Sequence, residues 1–471
     1  MNKKCQVFTP EDYVRELLDS VGYKHNLYGK RILENSCGDG NILVAVVQRY
    51  IDDCLANGFS RTRIKNGLEK DIYGVEIDIK QYQKCLQKLN KILELYNIKT
   101  VNWKIYNIDF LRWDTKIEFH YVIGNPPYIT YSELKKKEQE FVKKTFETCE
   151  KGKFDYCYAF IEKSIKSLTK DGKMSYLIPS SIFKTVFGQK LREFMLPYVS
   201  EIKDYTKIKV FDTALVKSSI IILDKNRQKE VLNYHDMTTG IDLEILITRL
   251  GAKWFFANEE EVGKRRFGDF FKVSHVVATL LNEAYVLADG KYVETANGFI
   301  CNNHFIESEV VRNTETPRTL RYGKHEKIIF PYYYNENGLG RFDEDEFEHR
   351  FPGAVEYLSE FREDLDKRKK DDSAKWYEYG RSQALSNLNC VKLLVSTVVT
   401  NDVEVYELEQ TCIPYAGMYI VERENSNLYT LDDAIQILKS DDFKRYVLKV
   451  GIPISGKSVR ITSKDIEEYK F

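Results

Sequence analysis

An α/β fold with a mostly parallel sheet of seven strands is predicted for the first half of the sequence by two observations. Between residues 31 and 223, short apolar runs alternate with segments whose apolar residues recur near every 3.6 positions, which is typical of doubly wound α/β domains. A polar break at 224–228 follows, and beyond it short strands mix with charged helices and aromatic loops. We therefore expect a first domain over residues 1–225 and a second, α+β domain over residues 226–471.

The individual elements follow from local patterns of apolar residues. Strands are predicted at 31–33, 72–76, 103–107, 121–124, 174–178, 202–208 and 219–223. Helices are predicted between them at 41–54, 79–95, 155–168 and 189–196. In the second domain, the charged segment 349–372 predicts one long helix.

Composition and cysteine spacing exclude several classes of protein. The 471 residues are 43% hydrophobic, which suits packed domains and not a disordered chain. No run approaches the roughly 18 apolar residues of a membrane helix, and the N-terminus lacks the apolar core of a signal peptide. The nine cysteines show no CxxC pair and no zinc-ligand spacing. We therefore expect a cytoplasmic protein without a membrane segment, a disulfide framework or a metal site.

The most specific motif is Asn125-Pro126-Pro127-Tyr128, directly after the apolar strand YVIG. Two prolines cannot continue a central strand, so the motif forms a rigid loop at the carboxyl end of that strand, where ligands bind in open α/β sheets. The Asn125 side-chain oxygen and the Pro126 carbonyl can accept both N–H bonds of an exocyclic amino group. Tyr128 can stack on the base. The alternative interpretation is a simple tight turn.

A glycine loop, Glu34 to Asn41, joins the first strand to its helix. Gly38 and Gly40 let the backbone turn sharply and approach a ligand at a helix N-terminus. The loop is not the dinucleotide fingerprint, and Glu34 and Asp39 would repel a pyrophosphate. A cationic amino-acid or sulfonium ligand fits better.

Two further acids stand at strand ends. Glu76 ends the strand IYGVE, and Asp109, followed by Phe110, comes just after the strand WKIYN. An acid at the second strand end is the expected acceptor for ribose hydroxyls, and an acid-aromatic pair at the third suits an adenine amino group and ring. Each acid alone could be a surface carboxylate, but four successive strand ends together predict one site.

In this order, the motifs resemble those of the gamma class of DNA adenine-N6 methyltransferases, which use S-adenosyl-L-methionine. The resemblance extends over about residues 5–225 and starts at Phe8-Thr9-Pro10. It implies a Rossmann-like S-adenosylmethionine-dependent methyltransferase domain followed by a target recognition domain, with no nucleophilic role for Cys37. The helix near Tyr156 would border cofactor and base. The cofactor-binding residues that the resemblance implies are Thr9, Pro10, Glu34, Cys37, Gly38, Asp39, Gly40, Glu76, Ile77, Asp109, Phe110 and Asn125.

The resemblance also implies that the target adenine is flipped out of double-stranded DNA. The segment KVFDTALVKSSIIIL places Phe211 as the partner of Tyr128 in stacking on that base, so Asn125, Pro126, Pro127, Tyr128 and Phe211 form the predicted catalytic set. Residues 1–225 carry 38 Lys and Arg against 29 Asp and Glu, and the remainder has a net charge of −9. The second domain must therefore concentrate its basic residues on one face if it binds DNA. The candidates are Lys264, Arg265, Arg266, Arg321 and Arg381.

Other functions remain as alternatives. The NPPY motif also serves RNA and protein-glutamine methyltransferases, although about 245 residues after the first domain favour DNA. A catalytically silent recognition subunit is the second alternative, and the full motif set argues against it. Cytosine-C5 transfer is disfavoured because no Pro-Cys pair is present. We expect a modification enzyme of a restriction-modification or related defence system, with a separate restriction endonuclease as its partner.

Overall fold

One nine-stranded sheet organises the first part of the chain. In this computed structural model, the described residues are 9–206, 208, 210, 217–256, 265–423, 428–454 and 456–471. The strands of the sheet are β1 (Ile32–Glu34), β2 (Ile72–Val75), β3 (Lys104–Tyr106), β4 (Phe119–Gly124), β5 (Leu168–Pro179), β6 (Val199–Asp204), β7 (Ser218–Asp224), β8 (Val231–Asp236) and β9 (Ile241–Leu246).

The strand order is β3-β2-β1-β4-β5-β7-β6-β8-β9. The pairs β3-β2, β2-β1, β1-β4 and β4-β5 are parallel, whereas β7 is antiparallel to both β5 and β6. The predicted α/β class and the seven predicted strands are confirmed, and six of those seven run in one direction. Because β1 to β4 are parallel, their carboxyl ends lie at the same edge of the sheet.

Helices cover both faces of this sheet. Neighbouring residues on β1, Ile32 and Leu33, belong to two separate core clusters, as expected for side chains that alternate between faces. The four predicted helices are present, whereas α1, α3 and α5 were not predicted. The sequences of α3 and α5 carry few apolar residues, but α1 has Val14, Leu17 and Leu18 at helical spacing and was overlooked. The helices are α1 (Glu11–Ser20), α2 (Asn41–Ala56), α3 (Arg61–Asp71), α4 (Ile79–Leu95), α5 (Lys136–Thr145), α6 (Cys157–Lys166) and α7 (Gln189–Met195).

The boundary between the two parts lies later than predicted. The chain divides into two compact units, Met1–Glu259 and Glu260–Phe471, instead of after residue 225. Strand β8 pairs with β6 and β9 pairs with β8, so the polar break at 224–228 is a turn within the sheet. After β9, Trp254 is buried and stacks on Phe183 with ring centroids 5.9 Å apart. These contacts hold the segment after residue 225 in the first unit.

Small antiparallel sheets and short helices build the second unit, with β10, β22, β19 and β21 forming its largest sheet in that order. Its strands are β10 (Phe271–His275), β11 (Val286–Leu287), β12 (Tyr292–Glu294), β13 (Gly298–Cys301), β14 (His304–Glu307), β15 (Val311–Thr314), β16 (Glu326–Ile329), β17 (Tyr332–Asn335), β18 (Gly338–Arg341), β19 (Lys392–Val395), β20 (Val398–Val399), β21 (Val405–Leu408), β22 (Met418–Glu422), β23 (Ile452–Pro453) and β24 (Val459–Arg460). Its helices are α8 (Asn282–Tyr285), α9 (Pro317–Arg321), α10 (Glu344–Arg350), α11 (Pro352–Ser359), α12 (Arg362–Lys367), α13 (Leu431–Lys439), α14 (Asp441–Val450) and α15 (Ser463–Glu467). None of the helices in the described ranges has the length and hydropathy of a membrane span.

The long helix predicted over residues 349–372 is wrong. Three short helices, α10, α11 and α12, replace it. Pro352 lacks a backbone donor and cannot continue α10, so it occupies the first position of α11 instead. Phe351 has φ −131° and ψ 55°, outside the helical region, and marks the break.

A buried lysine holds together two loops of the second unit. The Lys392 side chain is fully buried, and its Nζ donates to the carbonyl oxygens of Leu388, Cys390, Glu409 and Gln410 at 2.8–3.0 Å. Burial lowers the pKa of this ammonium group. Two carbonyl oxygens at each end of the segment 388–410 therefore share one hydrogen-bond donor.

Lys392→Met should destabilise the second unit by about 3–5 kcal/mol, because methionine fills the space but leaves the four buried carbonyl oxygens without their donor. Thermal or urea unfolding of the purified protein measures this change. Lys457→Met, at an exposed position, is the matched control and should stay within about 0.5 kcal/mol of the parent protein. Equal stability of the two variants would contradict the role given to Lys392.

Candidate active site

A cavity of about 540 Å³ opens at the carboxyl edge of the sheet. Residues that follow β1, β2, β3 and β4 line it, together with the segment after the NPPY motif and two aromatic residues near the start of α6. The lining residues are Asn35, Ser36, Gly38, Val75, Glu76, Ile77, Gln81, Ile108, Asp109, Phe110, Asn125, Pro127, Ile129, Glu133, Leu134, Lys135, Lys137, Glu138, Tyr156 and Phe160. The structure thus brings the predicted strand-end residues Glu76, Asp109, Phe110 and Asn125 to one cavity.

Glu76 is held by the backbone on both sides. Its Oε2 accepts a hydrogen bond from the Gly38 amide at 2.8 Å, and its Oε1 accepts one from the Asp78 amide at 2.7 Å. Burial raises the pKa of this carboxyl group. Each oxygen keeps a further lone pair, so Glu76 can accept hydrogen bonds from two vicinal hydroxyl groups.

Asp109 and Phe110 form the wall beyond β3. Asp109 Oδ1 accepts from the Leu111 amide at 2.9 Å, and its Oδ2 lies 3.1 Å from Arg112 Nε. Burial raises the pKa of Asp109. Arg112 also pairs with Glu138 of α5 at 2.9 Å, and this ion pair links the segment after β3 to α5.

Aromatic rings complete this wall. Phe110 is buried and packs on Phe160, with ring centroids 5.4 Å apart. Tyr156 packs on the same Phe160 ring at 5.6 Å, and its hydroxyl donates to Glu138 Oε1 at 3.2 Å. A flat apolar ring with an amino group would find aromatic contacts and a carboxylate acceptor here.

Not all of the predicted cofactor residues of the glycine loop line the cavity. Asp39 forms an ion pair with Lys88 of α4 at 2.7 Å, and Cys37 is buried beside Cys85. Contact with Cys85 and burial raise the pKa of the Cys37 thiol well above its usual range. Glu34 is buried behind the cavity wall, where desolvation raises its pKa well above the usual range.

Gly40 starts α2 with a backbone φ of +90°. A Cβ at this position would lie 2.7 Å from Cys85 Sγ and 3.2 Å from Cys85 Cα. The conformation and the close approach of α4 both require glycine. The Gly38 amide of the same loop donates to Glu76 at 2.8 Å, so a shift of the loop would disturb this contact.

Gly40→Ala should therefore cost on the order of 2–4 kcal/mol of stability and weaken cofactor binding, since the loop must shift away from α4. Gly58→Ala is the matched control, because Gly58 has φ +73° with nothing within 4 Å of the added Cβ. That control should cost only the left-handed strain of about 1–2 kcal/mol. Unfolding midpoints and cofactor titrations of both variants measure the difference, and equal losses would contradict the close-approach argument.

The NPPY loop is fixed by contacts to neighbouring segments. Asn125 Nδ2 donates to Thr9 Oγ1 at 3.4 Å, and the Asn125 carbonyl oxygen accepts from Ser36 Oγ at 3.2 Å. The first contact turns Asn125 Oδ1 away from Thr9. The Tyr128 hydroxyl donates to the Leu177 carbonyl oxygen on β5 at 2.8 Å, which anchors this half-buried ring.

The remaining residues of the predicted set occupy different places. Pro126 is buried within the loop, and Pro127 lines the cavity. Pro10 caps the N-terminus of α1 and is exposed, outside the cavity lining. Phe211, the proposed stacking partner of Tyr128, lies outside the described residues.

Two of the arginines predicted to contact DNA form exposed ion pairs. Arg266 lies 3.0 Å from Asp269 and 3.2 Å from Glu468, and Arg321 lies 2.7 Å from Glu404. Such exposed pairs contribute little free energy, so a phosphate could replace these carboxylates.

The other two described arginines have no carboxylate partner in the residues that the structure describes. Arg265 donates to the Tyr429 hydroxyl and lies 5.6 Å from that ring. Arg381 is exposed, and within the described part of the chain its backbone N–H donates to the Ala278 carbonyl oxygen while its guanidinium group forms no hydrogen bond. Lys264 lies outside the described residues. Arg381 is therefore the described candidate whose charge is best placed to meet a phosphate.

Sequence reasoning missed Asn35, Phe160 and the segment 129–138. Asn35 was visible as a polar residue directly after the first strand, between the acid and the glycines. The segment 129–138 carries lysines and glutamates without an apolar pattern, so no local signal placed it over the cavity.

The sheet, its strand-end acids and the NPPY loop resemble those of α/β methyltransferases. Residues 26–211 match the model of the Eco57I restriction-modification methylase family. The resemblance to methyltransferases of restriction-modification systems, inferred from the motifs, is confirmed.

Two curated relatives illustrate the similarity. Type II methyltransferase M.BstVI of Geobacillus stearothermophilus is 30% identical over 242 residues, which are 48% of this chain and 43% of that protein. Type II restriction enzyme and methyltransferase RM.Eco57I of Escherichia coli is 26% identical over 335 residues, which are 61% of this chain and 33% of that protein. The chain spans less than half of the length of either relative.

Solved structures share the fold over nearly the whole chain. The Type IIL restriction-modification enzyme MmeI in complex with DNA has a TM-score of 0.60 at 13% identity, covering 98% of this chain and 66% of that one. The Type ISP restriction-modification enzyme LlaGI, a nuclease-deletion mutant with a DNA substrate mimic, has a TM-score of 0.55 at 13% identity. It covers 94% of this chain and 43% of that one. At these identities the similarity concerns the fold.

Proposed function

We propose that this protein is a site-specific DNA adenine-N6 methyltransferase that uses S-adenosyl-L-methionine and modifies a flipped-out adenine in double-stranded DNA. The observation that carries the proposal is the joint placement of Glu76, Asp109, Phe110 and Asn125 around one cavity. The similarity to Type II methyltransferases, and to a restriction-modification enzyme solved in complex with DNA, supports DNA as the substrate. The enzyme would serve a restriction-modification or related defence system.

The residues present fit this cofactor. Asp109 offers a carboxylate beside Phe110, which suits an adenine amino group and its ring, and Glu76 offers acceptors for ribose hydroxyls. The cofactor supplies an electrophilic methyl group on a positively charged sulfur. Acidic and carbonyl groups at this edge of the sheet favour that charge.

The NPPY loop would activate the acceptor nitrogen. An adenine amino group is a poor nucleophile, because its lone pair is delocalised into the ring. Asn125 Oδ1 and the Pro126 carbonyl would accept its two N–H bonds and favour a tetrahedral nitrogen whose lone pair faces the methyl group. Thr9 fixes the orientation of the Asn125 amide for this role.

Tyr128 would stack on the flipped base, with Phe211 as its expected partner. Stacking on aromatic residues is worth roughly 1–3 kcal/mol per base, which offsets part of the cost of removing the adenine from the duplex. The second unit would bind the duplex, with Arg265, Arg266, Arg321, Arg381 and Lys264 as the candidates for phosphate contacts.

The experiment is to express the protein in a host without DNA methylation and to map modified bases by single-molecule sequencing. N6-methyladenine confined to one short sequence would support the enzyme class, the base and the specificity together. Unmodified DNA from a protein that binds S-adenosylmethionine would favour RNA or protein substrates. A nuclease gene beside the coding gene would support a separate restriction endonuclease as the partner.

A further inference from the structure

Asn35 lines the cavity directly after β1. Its side chain is only 2% exposed, and the residue lines the cavity together with Ser36 and Gly38. By contrast, the neighbouring acid Glu34, which the family resemblance assigns to the cofactor, does not line the cavity. Asn35 thus presents a buried polar side chain where the sequence suggested a carboxylate.

Two buried hydroxyl groups orient the Asn35 amide. Its Nδ2 donates to Ser164 Oγ at 2.7 Å and to the Tyr176 hydroxyl, and these two hydroxyl groups lie 2.7 Å apart. Three contacts need three protons. When Nδ2 faces the two hydroxyl groups, the amide supplies the protons for its two contacts, and one hydroxyl group supplies the proton for the contact between Ser164 and Tyr176. With the amide reversed, Ser164 and Tyr176 would have only two protons for the same three contacts, so this orientation is favoured.

The amide oxygen of Asn35 takes no part in the contacts with Ser164 and Tyr176. Among the described residues, Asn35 Oδ1 has no hydrogen-bond partner, although it is buried. It lies 3.8 Å from the position that a Cβ would take at Gly124, so it faces the end of β4. A buried acceptor without a donor is unfavourable unless a ligand supplies one.

The order of the strands indicates which part of the cofactor supplies this donor. Asp109, Glu76, Asn35 and Asn125 follow β3, β2, β1 and β4, which are consecutive neighbours in the sheet. If adenine lies at Asp109 and ribose at Glu76, the next group along the edge is the amino-acid portion. Its sulfonium has no N–H bond and its carboxylate would be repelled by a carbonyl oxygen, whereas its ammonium carries three donors.

We infer that Asn35 Oδ1 accepts a hydrogen bond from the α-ammonium group of the cofactor, which rests on the proposed use of S-adenosylmethionine. Ser164 and Tyr176 are positioning residues that hold the Asn35 amide in this orientation. The inference adds to the site a side chain that selects for the amino group of the ligand.

The test compares two ligands by calorimetry: S-adenosylhomocysteine and its analogue without the α-amino group. The quantity of interest is the ratio of their dissociation constants, analogue over parent ligand. A hydrogen bond to a charged group predicts a ratio of at least about tenfold for the unsubstituted protein. Asn35→Ala should reduce this ratio at least about fivefold, because only the ligand with an ammonium loses its acceptor.

Two further variants separate this role from a general structural one. Asn35→Asp places a carboxylate at the same position and should raise the ratio above that of the unsubstituted protein. Asn41→Ala changes an asparagine of the same loop that binds Lys88, outside the cavity lining, and should leave the ratio within about twofold.

The outcomes are distinct. An unchanged ratio in both Asn35→Ala and Asn35→Asp, with both proteins folded, would overturn the inference while leaving the proposed function intact. If Asn35→Ala fails to fold, an unchanged ratio in Asn35→Asp overturns it alone. If the unsubstituted protein binds neither ligand, the proposed function itself fails.

Discussion

Asn125→Ala should lower the rate of methyl transfer by about 10²–10³-fold, which is the usual effect of removing one polar group that acts on the reacting atoms. The backbone carbonyl that accepts from Ser36 remains, so cofactor affinity should change little. Transfer of a labelled methyl group to DNA under single-turnover conditions measures the rate, and calorimetry measures the affinity.

The matched control for this variant is Asn102→Ala, at an exposed asparagine that precedes β3. It should keep the full transfer rate. Full activity of Asn125→Ala would show that the NPPY loop does not activate the amino group, and the proposed chemistry would be wrong. Loss of cofactor binding in Asn125→Ala would instead indicate that the side chain shapes the cofactor site.

Tyr128→Ala should reduce transfer by roughly tenfold to 100-fold, because stacking worth about 1–3 kcal/mol is lost when the Tyr128 ring is removed from the flipped base. The defect should appear as weaker stabilisation of the extrahelical base, while cofactor affinity persists. Fluorescence of 2-aminopurine at the target position, once the sequence is mapped, reports base flipping directly.

Tyr128→Phe separates the ring from its anchor. Phenylalanine keeps the stacking surface and loses the hydrogen bond to the Leu177 carbonyl oxygen. It should therefore cost no more than about tenfold in rate. If phenylalanine were as harmful as alanine, the hydroxyl group and not the ring would carry the function of Tyr128.

The residues at strand ends were predictable because two simple rules apply to them. A short apolar run in an α/β pattern indicates a parallel strand, and a polar residue after it lies at the ligand-binding edge. Glu76, Asp109 and Asn125 all line the cavity as these rules require. No contact between distant segments had to be known for this inference.

Asp39 shows where such reasoning fails. It has the residue type and position of a ligand-binding acid, yet it pairs with Lys88 on the next helix. A contact between residues 49 positions apart depends on how α2 and α4 pack, which no local pattern records. Asn35, in contrast, lines the cavity but was not predicted. Its orientation depends on Ser164 and Tyr176, which are far along the chain.

The boundary error has a similar cause. The polar segment at 224–228 has the composition of a linker, but it is a turn between two strands of one sheet. Of the strands that follow it, β8 pairs with β6 and β9 pairs with β8, and the position of β6 in the sheet is not recorded in local sequence. Composition alone does not distinguish a turn within a domain from a connection between domains.

The pairing of β6 with β8 also determines how the first unit could be isolated. A protein ending at residue 225 would lack β8, leaving the backbone groups of β6 unpaired along an open strand edge, and would lack Trp254, exposing the face of Phe183. Open edges and bare aromatic faces promote association between chains. A fragment that contains the folded first unit must therefore keep the chain through Phe256, and the turn at 224–228 is unsuitable as a site for cutting or fusion.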